Sequence, residues 1–255
     1  QIISRKEFLI CFFTIMPSVL VTGANRGIGL GLVKELLKDP SVTIVIATVR
    51  NVDTATVLSA IKNPKLHIIP CEVTDEKSVV AAVEKVTGIV NGKGLDFLIN
   101  NAGIFNSLEL DGEVSKTNVM EQFEVNCFGP LLVANNFHGL LKRAAELNGS
   151  SQIANISSAF GSLEQAMTEA TYPPTIYAMS KAALNMLTRR LSFEWKKDNI
   201  RATVFTPGWV RTEMGSPNAT LSVEESTSPL SNLILSLTEE NNGEFYRYNG
   251  EKVPW

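Results

Sequence analysis

The stretch that most constrains this chain is Thr22-Gly23-Ala24-Asn25-Arg26-Gly27-Ile28-Gly29, set between a β-branched run and a helical pattern. Ser18-Val19-Leu20-Val21 precedes it, and Ile28, Leu32, Val33, Leu36 and Leu37 share one face of a helix. Glycine is needed where a chain leaves a strand in a tight turn and its backbone must approach a pyrophosphate closely. The helix that follows offers free N–H groups and a partial positive charge to the phosphates. This order predicts the first unit of a dinucleotide-binding domain, with Gly23, Asn25, Arg26, Gly27, Ile28 and Gly29 at the ligand.

The rest of the chain repeats the alternation. Val42–Ala47, Leu66–Ile69, Leu95–Ile99, Gln152–Ile156 and Ala202–Phe205 read as buried strands, and Val79, Val80, Val83 and Val86 as a helix face. Longer helices are expected after Asn118 and around Ala182–Trp195, and a polar one from about Val223. The fold class is α/β: a single-domain, doubly wound Rossmann fold, its mostly parallel sheet flanked by helices on both faces. At 255 residues, 44% of them hydrophobic, the chain can bury one full core.

A net charge of −3 argues against a dedicated nucleic-acid binder. Cys11, Cys71 and Cys127 form no disulfide framework, and His67 and His138 stand too far apart for a zinc site, so no metal is expected. Phe8–Ile15 behind Arg5 and Lys6 looks like part of a signal peptide, but it runs into the first strand without a small-residue cleavage site. It also falls short of the ~20 residues of a spanning helix. Residues 1–15 are therefore expected to be a leader or an extension, and 16–255 one domain of a cytoplasmic protein without a membrane anchor. The sequons at Asn148, Asn155 and Asn218 carry little weight in such a protein, and Asn155 falls in a predicted buried strand.

The second strand ends Thr48-Val49-Arg50. Dinucleotide folds place a carboxylate about 20 residues past the glycines for the ribose hydroxyls of NAD, or an Arg where a 2′-phosphate must fit. Arg50 stands 21 residues after Gly29, and Arg26 adds a cation inside the turn. Two cations and no carboxylate predict NADP(H).

Tyr177 and Lys181 are four residues apart, which on a helix puts a phenol and an ammonium on one face. The cation is expected to lower the phenol's pKa from about 10 toward neutrality, the range of a general acid or base. Tyr248 and Lys252 repeat the spacing, but Asn249-Gly250 between them signals a turn and that pair is set aside. Asn155-Ile156-Ser157-Ser158 closes a predicted strand, where a hydroxyl would project into the crevice. Taken singly, Ser158 reads as a helix cap, Asn126 as a turn former and Lys181 as a solvated helix residue.

Together these motifs resemble the short-chain dehydrogenase/reductase family from about Ser18 to Trp255, and most of all its sniffer-type, NADPH-dependent carbonyl reductases. The turn is similar to the family's TGxxxGxG, Asn100-Asn101-Ala102-Gly103 to its NNAG element, and Pro207-Gly208-Trp209-Val210-Arg211-Thr212 to the segment that contacts the nicotinamide. The resemblance implies a catalytic tetrad of Asn126, Ser158, Tyr177 and Lys181. Tyr177 would donate the proton to the carbonyl and Ser158 would hold its oxygen. Lys181 would lower the tyrosine pKa and hold the ribose, and Asn126 would position a water. It also implies cofactor contacts from Glu72, Val73, Asn101, Ala102, Gly103, Pro207, Gly208, Val210 and Thr212, beside Arg50, Tyr177 and Lys181.

Three departures stand out: Glu72 where the family usually has Asp, Ser158 and Tyr177 19 residues apart, and a short segment after Thr212. The residues Glu164–Pro174, with Tyr172-Pro173-Pro174, are expected to form a longer loop over the site, and the segment after Thr212 a lid. Ser157 remains an alternative to Ser158. The expected function is hydride transfer from NADPH to an aldehyde, ketone or quinone. The alternatives are a non-catalytic NADPH-binding sensor or scaffold and an NAD-dependent alcohol or steroid dehydrogenase. The resemblance implies a homodimer or homotetramer, as the family often forms, with a monomer, as in some carbonyl reductases, the alternative.

Overall fold

The computed structural model describes residues 17–106, 114–165 and 174–255. The expected leader, residues 1–15, and most of the expected loop, Tyr172 and Pro173 included, lie outside them. Strands β1 (Ser18–Val21), β2 (Ile44–Val49), β3 (Leu66–Pro70), β4 (Phe97–Asn100), β5 (Ser151–Ile156), β6 (Ile200–Thr206) and β7 (Phe245–Arg247) form one sheet in the order β3-β2-β1-β4-β5-β6-β7. All of its pairings are parallel.

Successive side chains of a strand face opposite sides, so a sheet covered on both faces needs apolar residues at both alternations. Val19 and Val21 enter one core while Leu20 enters the other; Val45, Ala47 and Val49 part from Ile46 in the same way. The first core is closed by Leu32, Val33 and Leu36 of α1 (Gly27–Lys38) with Leu230 and Ile234 of α7 (Val223–Leu235). The second is closed by Val79 and Val86 of α3 (Glu76–Val90), Val133, Phe137 and Leu141 of α5 (Gly129–Asn148), and Leu191 of α6 (Thr175–Glu194). Two shorter helices, α2 (Thr56–Ser59) and α4 (Lys116–Phe123), complete the set named here.

Several details differ from the sequence reading. β2 starts at Ile44 instead of Val42, and β4 at Phe97 instead of Leu95, whose N–H donates to Leu140 of α5 and not to a strand. β7 was not expected; it is three residues long, pairs with β6, and carries an isolated antiparallel bridge from Tyr246 to Lys252. The helical region after Asn118 is interrupted by a π-turn, Glu124–Phe128, between α4 and α5. Finally, the polar helix α7 is a layer of the core, not a lid. Its hydroxyls are satisfied locally, Thr227 donating to the Val223 carbonyl at 2.9 Å and Ser226 to that of Pro207 at 2.7 Å, so the helix can be buried. Among the described residues no helix is long and apolar enough to cross a membrane.

The central β1–β4 pair is bolted at its amino end by Asp96. Its carboxylate accepts from the Ser18 N–H and hydroxyl, both at 2.9 Å, and from Asn148 Nδ2 at 2.6 Å. Asp96→Ala strips a buried backbone N–H of its acceptor and is expected to cost roughly 2–4 kcal/mol of stability. Thermal unfolding would register that as about 2–4 °C per kcal/mol, with Asp96→Asn clearly milder.

Candidate active site

The chain leaves β1 toward β2 on one side and returns to β4 on the other, so the carboxyl ends of β1 and β4 face a crevice at the point where the winding reverses. A cleft of about 980 Å³ opens there. One wall is the glycine turn, with Gly23 in the left-handed region at φ 63° and Gly27 at φ 52°. A Cβ on Gly29 would lie 2.3 Å from the Gly23 carbonyl oxygen and 2.5 Å from Asn101 Nδ2, which explains glycine at the start of α1. Asn101 Nδ2 donates to the carbonyls of Thr22 at 2.8 Å and Gly23 at 3.1 Å. Thr22 Oγ1 accepts in turn from the N–H groups of Asn101 at 3.0 Å and Ala102 at 3.1 Å.

The first turn of α1 has neither a side-chain cap nor an acidic residue, so its N–H groups and dipole are free to meet an anion. Arg50 and Arg26 stand at the lip. Arg50 has no ion-pair partner among the described residues, whereas Arg26 is paired across the cleft with Glu213. A dinucleotide with an additional phosphate fits this donor set. Glu72 turns its longer side chain back, accepting from Thr74 Oγ1 at 3.2 Å.

The opposite wall carries the acid–base candidates. Tyr177 sits in the first turn of α6, its ring edge-on to Phe105 at 5.2 Å between centroids. Lys181, buried one turn later, lies 5.7 Å from the Tyr177 ring centroid and donates to the Ile156 carbonyl at 3.0 Å. Burial pushes the lysine's pKa down to about 8. Burial also pushes the Tyr177 phenol up to about 12, with a hydrogen bond from the Ser158 hydroxyl pulling the other way. Within the protein alone the phenol therefore does not fall toward neutrality, because its burial outweighs the pull of Ser158.

Ser157 borders the cleft, but its hydroxyl is buried and donates to Asn185 Oδ1 at 2.7 Å. Ser158 caps the 3-10 turn Ala159–Gly161, its hydroxyl accepting from the Phe160 N–H at 3.2 Å and lying within reach of the phenol, whose pKa it lowers. Asn126 lies in the π-turn with both ends of its amide engaged. Oδ1 accepts from the Ile104 N–H at 2.8 Å, and Nδ2 donates to the Ile104 carbonyl at 2.9 Å and to Ser180 Oγ at 3.1 Å. Its side chain thus braces the segment after β4.

Asn25, Ile28, Val73, Ala102, Gly103, Pro207 and Thr212 line the cleft as expected. Gly208, Val210, Asn126 and Ser158 are not among its lining residues. Val210 is buried in a bridge to Leu221, and a Cβ on Gly208 would meet Leu221 Cδ1 at 2.7 Å. The sequence reading passed over Phe105, Asn51, Thr54, Glu213 and Met214, which also line the cleft. Phe105, two residues beyond Gly103, could have been found as an aromatic at the mouth of the NNAG segment. Nothing in spacing could link Glu213 to Arg26.

The family described as short chain dehydrogenase matches residues 17–221. The carbonyl reductase Sniffer of D. melanogaster superposes with a TM-score of 0.88 at 34% identity, covering 94% of this chain and 100% of that one. An NADPH-bound carbonyl reductase from chicken fatty liver gives 0.87 at 37% identity, covering 94% and 99%. Among curated relatives, the norsolorinic acid ketoreductase of Dothistroma septosporum is 30% identical over 250 residues, 92% of this chain and 91% of its own length.

The depressed Lys181 pKa has a stability consequence whose sign is fixed. The folded state gives up the proton near pH 8 and the unfolded chain near 10.5, so wild type bears the full cost of a buried ammonium below pH 8 and sheds it between 8 and 10.5. Relative to Lys181→Met, wild type should gain melting temperature across that window, and a difference independent of pH would contradict the burial argument.

Proposed function

This chain belongs to the short-chain dehydrogenase family, and we propose that it reduces the carbonyl group of an aldehyde, ketone or quinone with NADPH. One observation carries the reading: a hydroxyl, a phenol and an ammonium, those of Ser158, Tyr177 and Lys181, meet beside a cleft whose far wall is an uncapped helix start. The NADPH held by the chicken carbonyl reductase and the ketoreductase named among the relatives support the choice of cofactor and substrate class.

The glycine turn and the first turn of α1 would hold the pyrophosphate, Arg50 and Arg26 the 2′-phosphate, and Glu72, Val73, Ala102 and Gly103 the adenosine end. Lys181, Tyr177, Pro207 and Thr212 would hold the nicotinamide end. When bound, the nicotinamide supplies the hydride. Tyr177 donates its Oη proton to the carbonyl oxygen as negative charge develops there. A phenol whose pKa lies near 12 stays protonated at neutral pH and so is loaded for the reductive direction. Ser158 donates a second hydrogen bond to the same oxygen and stabilises the oxyanion. The Lys181 ammonium, fixed by Ile156, favours the phenolate left behind.

Tyr177→Phe should lower turnover by about 10²–10⁴-fold, while NADPH binding, followed by nicotinamide fluorescence, stays within a few-fold. Turnover surviving in the Phe variant would sink this mechanism. For cofactor choice, Arg50→Asp should move preference toward NADH. Glu213→Gln, by releasing Arg26, should tighten NADPH about 2–5-fold with little effect on NADH. Wild type using both cofactors equally would overturn the role given to the arginines.

A further inference from the structure

Ser158 and the Tyr177–Lys181 pair arrive on separate pieces of chain, so their separation must be set by whatever joins those pieces. Ser158 lies on the bend between β5 and the 3-10 turn Ala159–Gly161. Both flanks of this bend are tied to one side chain of α6: Ser157 Oγ donates to Asn185 Oδ1 at 2.7 Å, and Asn185 Nδ2 donates to the Gly161 carbonyl at 3.0 Å. Asn185 is 3% exposed and lies one helical turn beyond Lys181 and two beyond Tyr177, on the same face. The bend also rests on the helix backbone, since a Cβ on Gly161 would stand 2.9 Å from the Lys181 carbonyl carbon.

We propose that Asn185 is a positioning residue that fixes Ser158 against Tyr177 and Lys181 by clamping the bend on both sides. The inference rests on the reading of Ser158 and Tyr177 as partners in the reaction. Its chemistry accounts for the residue type. The Gly161 carbonyl accepts only and the Ser157 hydroxyl has a proton to give, so the joining group must present a donor and an acceptor on one short plane, as an amide does. Aspartate would set a second acceptor against the Gly161 carbonyl, and alanine would leave that carbonyl without its donor. A shift near 1 Å at a reacting group is enough to cost about 10²-fold in rate.

Thr188, one turn further along α6, supplies a control. Its Oγ1 accepts from Asn155 Nδ2 at 2.8 Å and donates to the Leu184 carbonyl at 2.8 Å, a buried link that does not touch the Ser158 bend.

The test uses the whole chain, with kcat for carbonyl reduction, NADPH affinity by fluorescence titration and melting temperature as readouts. Asn185→Ala should lower kcat by about 10–100-fold with NADPH affinity within about 2-fold. Made in a Ser158→Ala background, the same change should cost less than about 3-fold, because the group it misplaces is gone. Thr188→Val should lower the melting temperature and leave kcat within about 2-fold. Equal losses in both backgrounds, or an unchanged kcat in Asn185→Ala, would overturn the proposal. If Asn185→Ala does not fold, Asn185→Ser takes its place and the same outcomes decide. Ser158→Ala retaining full turnover would overturn the reading of the site, and with it this role. Losses that multiply while Ser158 stays essential overturn the role of Asn185 alone.

Discussion

Two neighbouring strands whose chains depart in opposite directions leave their carboxyl ends uncovered, and the backbone groups there must find partners or water. In this protein the seam between β1 and β4 is closed by a reciprocal pair: the Asn101 amide satisfies two carbonyls of the glycine turn, and the Thr22 hydroxyl receives two N–H groups of the segment after β4. Much else hangs from that seam. It aims the amino end of α1 into the cleft. It also sets the course of the chain to Ile104, which Asn126 grips, and to Phe105, which lies against the Tyr177 ring. The wall suited to phosphates and the wall bearing the phenol are thus held by one continuous strip of backbone.

Neutral polar groups do most of the positioning. Asn100 donates to Asn155, Asn155 to Thr188, and Ser157 to Asn185, each bond between 2.7 and 2.8 Å and buried. Amides and hydroxyls can be bonded in a low-dielectric interior without the desolvation cost of ions, although Asn100 Oδ1 is left without a partner. Lys181 and Asp96 are buried ionisable groups beside them, and the displaced pKa of Lys181 is the sign of that cost. Burial drives the phenol and the ammonium toward their uncharged forms, raising the one pKa and lowering the other.

The fold was legible because period-two apolar runs, a glycine turn and helix faces each leave a local imprint. Tyr177, Lys181 and the turn were legible for the same reason: their spacing is read within one element. What escaped depends on contacts between elements distant in sequence. The ion pair of Arg26 with Glu213, the brace made by Asn126 and the path of the Lys181 ammonium to Ile156 depend on how loops meet. β7 escaped because three residues between polar segments carry too short a pattern to register. The polar α7 misled because hydroxyls that bond their own helix can be buried, while composition suggests exposure.

No two strands of this sheet are joined as a hairpin, since every strand pairing in it is parallel. β1 finds one neighbour in β2 but waits for β4, and the Asn101 side chain that secures the glycine turn lies 79 residues beyond its partner Thr22. On the ribosome, the turn is therefore made long before the group that braces it. Until β4 emerges, a nascent chain carries the signature of a nucleotide site without its rigidity. That interval falls in the slow, non-local part of folding, where exposed β-branched strands are most open to chaperones or to aggregation.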